Sequence, residues 1–186
     1  MAIVEGMRRT DNVGNRMSFR GLKTDRAINY KLRATWLTPD VIRATARAIQ
    51  LDERLSPSDA RRLVEEAEAA ADTVFFVEID PNEGSGIVPL DWTAILQPRG
   101  LPRGAAGAVR GVLAPKLREV RALGGLFKRD YAYDAFWISF RLTPEERAVL
   151  FAPAVTEVEL VVSIQGREAI VSWPVLAVIR DRLGPR

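Results

Sequence analysis

The sequence predicts a mainly β, α+β domain: an antiparallel β-sandwich, loosely immunoglobulin-like, with a two-helix insertion between its first and second strands. Three observations predict it. Strand-like apolar stretches, most with period-two alternation, recur six times along the chain. Two helix-start signals fall together, between the first and second of these stretches. Four of the predicted strands carry one tryptophan each: Trp36, Trp92, Trp137 and Trp173.

Residues 1–27 mix Gly, Asn and Arg without sustained periodicity and read as a flexible or loosely docked arm. A single domain is expected over 28–180, with a basic tail at 181–186. In INYKLRATWL, Ile28, Tyr30, Leu32, Ala34 and Trp36 share one face, while Asn29, Lys31, Arg33 and Thr35 share the other. That is a strand with one wet side. The helical insertion is expected over 38–72. Thr38-Pro39-Asp40 supplies a capping hydroxyl, a proline at the first helical position and an acid in the first turn. Ser56-Pro57-Ser58-Asp59 repeats the signal, and Ala60, Leu63, Val64, Ala67 and Ala71 follow helical spacing. The acidic run EEAEAAAD is read as a solvated helix face.

TVFFVEID is apolar on both parities, as in a central strand covered on both sides. In PLDWTAILQ, Leu90, Trp92, Ala94 and Leu96 alternate with Asp91, Thr93 and Gln97, which gives another strand. Residues 99–130 form a long Gly/Pro/Arg-rich loop, with a short helix near 115–122. DAFWISFRL places Phe136, Ile138, Phe140 and Leu142 on one face and Trp137 on the other. Thr143, with Glu146 three residues later, starts a capped helical turn. EVELVVSIQGREAIVSWPVL closes the pattern as a hairpin. Turns at Gln165-Gly166 or Gly166-Arg167 both keep Trp173 on the apolar side, because the registers differ by two residues. Pro174 ends the second strand. Trp36, Trp92 and Trp173 share parity with the apolar residues and are expected in the core.

Cysteine and histidine are both absent from this chain. A Ser-His-Asp triad, a Cys-His pair and a Cys- or His-ligated metal site are therefore excluded by inventory. Only carboxylate, Lys, Tyr, Ser or Thr chemistry remains. No apolar run reaches the ~18–20 residues of a membrane helix, so an integral membrane protein is not expected. The N-terminus lacks a signal-peptide core. The chain thus reads as cytoplasmic, or as the mature part of an envelope or exported protein.

Charge is unevenly placed. Residues 1–35 carry eight basic residues against three acidic, 99–130 eight against two, and 38–81 five against ten. Only four basic residues are lysine, a bias read as the codon usage of a GC-rich genome. Asp80-Pro81-Asn82 has the first spacings of a calcium loop, but Ser85 stands where that loop needs glycine, and a plain turn is the better reading. Phosphate-binding fingerprints are absent, and GAAG at 104–107 lacks the helical setting of a nucleic-acid clamp.

The candidate binding residues are the bases of the long loop: Arg99, Arg103, Arg110, Lys116, Arg118, Arg121, Lys128 and Arg129. They suit phosphates or anionic headgroups. Tyr133 and Trp137, off the inner parity, form a candidate aromatic surface, although burial under the inserted helices or the long loop is the better reading. Glu78, Asp91 and Asp134 are the carboxylates open to hydrolytic pairing. No family motif is matched; the layout resembles small bacterial β-sandwich domains. The expected function is a non-catalytic binding or structural module acting through surface contacts, without cofactor or metal, on another protein or an anionic surface. A basic-loop binder of nucleic acid or membrane and a carboxylate-based hydrolase are the alternatives.

Overall fold

The computed structural model describes residues 2–13, 30–81, 88–102, 107–125 and 133–184. Along the chain run α1 (Ala2–Gly6), β1 (Arg8–Val13), β2 (Tyr30–Trp36), α2 (Pro39–Glu53), α3 (Pro57–Ala70), β3 (Thr73–Pro81) and β4 (Thr93–Pro98). Then come β5 (Val109–Arg110), β6 (Val112–Leu113), a 3₁₀ turn (Pro115–Glu119), α4 (Arg121–Gly124), β7 (Asp134–Phe140), α5 (Pro144–Leu150), β8 (Glu157–Ile164), β9 (Arg167–Pro174) and α6 (Ala177–Leu183). The architecture is α+β with two antiparallel sheets, ordered β1-β2-β3-β7-β6 and β5-β4-β8-β9.

Parity decides which side of each strand is buried. On β2, Tyr30, Leu32, Ala34 and Trp36 are buried while Lys31 is exposed. On β3 both parities are buried, as expected of a central strand. The last hairpin turns at Gln165-Gly166, whose φ angles of 50° and 75° are the paired left-handed values that suit strand twist. Leu160 therefore faces Val171, Val162 faces Ala169 and Trp173 is fully buried. The inner faces of the two sheets meet through aromatic rings. Phe75 lies 5.3 Å from Trp36 and 5.2 Å from Trp173, and Trp36 lies 6.2 Å from Trp173, centroid to centroid. Burial of one indole is worth ~4–6 kcal/mol as an upper bound. The Trp36 indole also donates to Thr73 Oγ1 at 2.5 Å, so its polar edge is satisfied in the core.

Both edges of the sheet pair are joined. On one side, a single passage of chain serves both sheets: β5 pairs with β4, and β6 pairs with β7. Gly111 lies between them and donates its N–H to Ala94 at 2.9 Å. A Cβ there would run into Ile138 and come within 2.7 Å of the Phe140 ring, so only glycine lets the strand cross so closely. On the other side, β1 and β9 run next to each other without a ladder, linked by side chains. Asp11 accepts from Ile170 N at 2.9 Å, and Arg9 Nε donates to the Ser172 carbonyl at 3.1 Å. These contacts occupy main-chain groups of an edge strand that would otherwise invite pairing.

Helices α2, α3 and α5 start at the capping residues that the sequence marks. Thr38 and Ser56 accept from the N–H groups of Val41 and Asp59, and Thr143 forms a full capping box with Glu146. Residues Val41, Ile42, Thr45, Ala46 and Ile49 of α2 are buried, and α4 packs on both α2 and α3.

Several expectations change. The N-terminal arm contributes α1 and β1, while residues 14–29 lie outside the described residues. Leu90 is 82% exposed, and β4 begins only at Thr93. The 99–130 loop holds two short strands, the 3₁₀ turn and α4, and it buries Val109, Leu117, Ala122 and Leu123; residues 103–106 and 126–130 lie outside the described residues. The chain end is α6 rather than a bare tail. Its Ile179 and Leu183 are buried, and Arg180 donates to the carbonyls of Phe151, Ala152 and Val155.

Candidate functional site

The outer face of the five-stranded sheet is divided in two. Register sets Arg8, Thr35, Phe76 and Trp137 in one cross-strand row, Thr10, Arg33, Glu78 and Ala135 in the next, and Asn12, Lys31 and Asp80 in the third. The first row lies on the helix side, with Thr35 and Phe76 buried and Trp137 donating from Nε1 to the Leu123 carbonyl of α4 at 3.0 Å. The other two rows carry Arg33 with Glu78 and Lys31 with Asp80.

Arg33 is the centre of these rows. Its guanidinium carbon lies 3.7 Å from the centroid of the Tyr133 ring, and its Nη1 is 3.8 Å from Glu78 Oε1. Stacking on an aromatic face holds a guanidinium flat. Glu78 is only 5% exposed, so this ion pair is largely removed from water on the acid's side. Next in line, Lys31 Nζ is 3.6 Å from Asp80 Oδ2, with half of the lysine side chain exposed. Beside them is a polar groove of about 310 Å³, lined by Thr10, Asp11, Asn12, Lys31, Leu32, Arg33 and Tyr133. Surface pairs of this kind add little to stability. Their effect is to fix charges and hydrogen-bonding groups in position.

The basic residues singled out in the sequence are distributed over several elements. Arg99 follows β4 and bonds to Glu157, whose hydrogen bond and charge raise the guanidinium above its usual range. Arg121 of α4 bonds to Glu53 of α2. Arg110 is exposed on β5, and Lys116 and Arg118 are exposed on the 3₁₀ turn. Arg103, Lys128 and Arg129 lie outside the described residues. The aromatic pair is also separated. Tyr133 belongs to the charged rows, whereas Trp137 is half-buried by the helical layer, its ring 4.9 Å from Phe76.

The carboxylates do not converge. Glu78 faces Ala135 and Asp134 faces Ile79, which puts the two acids on opposite sides of the sheet. Asp91 precedes β4 in the other sheet. Among the described residues no group of three or more acids is placed to hold a metal ion. Asp80 of the calcium-like stretch pairs with Lys31, and residues 82–87 lie outside the described residues. No helix among the described residues is long and apolar enough to cross a membrane.

Sequence reasoning identified Lys31 and Arg33 only as the wet side of a strand. It passed over Thr10 and Asn12 because β1 has no apolar alternation. The alternating polar parity of β2, set against Glu78 and Asp80 on an otherwise apolar β3, was the available signal. Comparison with known proteins finds no matching family model, no matching curated protein and no matching solved structure.

Proposed function

We propose that this chain is a non-catalytic binding module, a loosely immunoglobulin-like β-sandwich, that acts on a polar segment of another protein through the half of its five-stranded sheet that no other described element covers. The observation that carries the reading is Arg33, held between the Tyr133 ring and the buried Glu78 on a face the helices leave open. A charge already fixed in place loses less side-chain entropy when a partner docks, a saving of ~0.5–1.5 kcal/mol for each such side chain. The mixed signs of Lys31, Arg33 and Asp80, with the amide of Asn12, fit a partner of mixed polarity better than a uniformly charged polymer.

Photocrosslinking in cells of the source organism tests this. A benzophenone amino acid placed at Asn12 or Lys31 should yield adducts of discrete mass, lost on Arg33→Glu. The same probe at Arg61, on the outer side of α3, should yield none. Adducts absent from the sheet face, or equal at all three positions, contradict the proposal.

A second reading, a basic-loop binder of nucleic acid or anionic membrane, draws support from Lys116 and Arg118, which are exposed on the 3₁₀ turn. It requires heparin retention that falls steeply with salt and disappears in Lys116→Glu/Arg118→Glu. Retention unchanged by the double substitution removes it.

A further inference from the structure

One edge of the two sheets presents apolar and basic side chains together. β5 and β6 are the outermost strands of their sheets, and Gly111 joins them. Residues 109–113 thus form an edge that both sheets share. Register sets Val112 opposite Ser139 and Leu113 opposite Ile138, so their side chains point to opposite faces of β6. Both reach solvent: Val112 is 64% exposed and Leu113 41%. Leu90, 82% exposed, lines a cleft of about 220 Å³ together with Leu113. Three of the eight exposed large apolar side chains among the described residues therefore lie at this edge. Single exposed apolar residues are ordinary, whereas a group of them marks a contact surface.

The same stretch is basic. Residues 109–118 carry Arg110, Lys116 and Arg118 and no acid. The 3₁₀ turn buries Leu117, which ties the turn to the core, and leaves Lys116 and Arg118 exposed. Arg110 is exposed on β5. The acid at this edge is Asp91, next to Leu90.

We propose, resting on the basic-loop reading, that this edge binds the surface of an anionic lipid bilayer. Leu90, Val112 and Leu113 enter the boundary between headgroups and acyl chains, and the three basic residues meet the anionic headgroups. Aliphatic side chains favour a bilayer over nucleic acid, because single-stranded bases are held by stacking on aromatic rings. Trp92, the aromatic residue lining the cleft, is 6% exposed and offers no such platform.

Vesicle sedimentation tests the inference, comparing phosphatidylcholine alone with phosphatidylcholine containing about 30% phosphatidylserine. The protein should bind the anionic vesicles at least about tenfold more tightly than the neutral ones. Val112→Ser with Leu113→Ser, both at exposed positions, should weaken that binding by about tenfold or more and leave heparin retention intact. Lys116→Glu with Arg118→Glu should weaken it by at least about the same factor. Asp91→Asn, which removes the opposing charge, should tighten it. Leu51→Ser, at a position 63% exposed on α2, should bind as the parent does. The chain lacks cysteine, so an environment-sensitive dye on Val112→Cys reports insertion. Its emission should shift to the blue with anionic vesicles, and the same dye on Leu51→Cys should not respond. No binding to anionic vesicles, binding untouched by the apolar substitutions, or an unshifted dye at Val112→Cys overturns the inference. Heparin retention that still depends on Lys116 and Arg118 would then leave the basic-loop reading standing with nucleic acid as its partner. Retention unchanged by their substitution, together with absent vesicle binding, removes both.

Discussion

The indole nitrogen of Trp173 donates a hydrogen bond of 2.6 Å to the main-chain carbonyl of Met7, 166 residues earlier in the chain. The last hairpin is thereby fastened to the residue that leads into β1. Trp173→Phe keeps an aromatic ring in the core but leaves the Met7 carbonyl without its donor. We expect a loss of about 1–3 kcal/mol in urea unfolding at an unchanged slope. A variant as stable as the parent would mean that this bond does not hold the N-terminal strand.

Gly111→Ala should cost about 1–3 kcal/mol, because the added methyl meets Ile138 and the Phe140 ring where the chain changes sheets. Gly6→Ala, where a methyl has open space, serves as the neutral control. Thermal melts of the two variants should separate clearly, and coincidence would show that the crossing is looser than described.

Arg180→Ala should destabilise by about 1.5–3 kcal/mol. It removes a charged donor from three carbonyls of the segment between α5 and β8. Cutting the chain after Val175 should cost more, since the buried Ile179 and Leu183 go with it. Equal stability of the truncated and full-length proteins would return the end of the chain to the status of a tail.

Arg33 and Tyr133 should show a coupling of about 0.5–1 kcal/mol in a double-mutant cycle of Arg33→Ala and Tyr133→Ala. Glu78→Gln should leave that coupling in place while weakening any partner contact that depends on the orientation of Arg33. Zero coupling would mean that the stacked geometry does not persist in solution.

How far the sequence carries can be traced through particular residues. Trp173 and the Gln165-Gly166 turn were legible because alternate burial and left-handed φ are local constraints, and both allowed registers keep the same face inward. Thr38, Ser56 and Thr143 were legible as helix starts for the same reason. β1 was not, because its inward side chains Arg9 and Asp11 bond the edge of β9 instead of entering the core, so it lacks the apolar period of a strand. α6 was hidden by its length, two turns with only Ile179 and Leu183 buried. Leu90 matched the parity of the next strand, but the strand begins after it. The candidate face was half legible. The polar parity of β2 is in the sequence, whereas its alignment with Glu78, Asp80 and Tyr133 follows from non-local pairing that no local pattern encodes.

The reading rests most heavily on β1 completing the charged face, with Asn12 directly opposite Lys31. The chain contains no cysteine, so a paired substitution reports on this without background. Directly opposed residues in an antiparallel pair lie about 4.5–5.5 Å apart at Cα, within the range of a disulfide. Asn12→Cys with Lys31→Cys should therefore oxidise to a single intramolecular disulfide without loss of stability, while Asn12→Cys with Leu32→Cys should remain reduced. A disulfide in the second pair and none in the first would place β1 in another register and dissolve the proposed face.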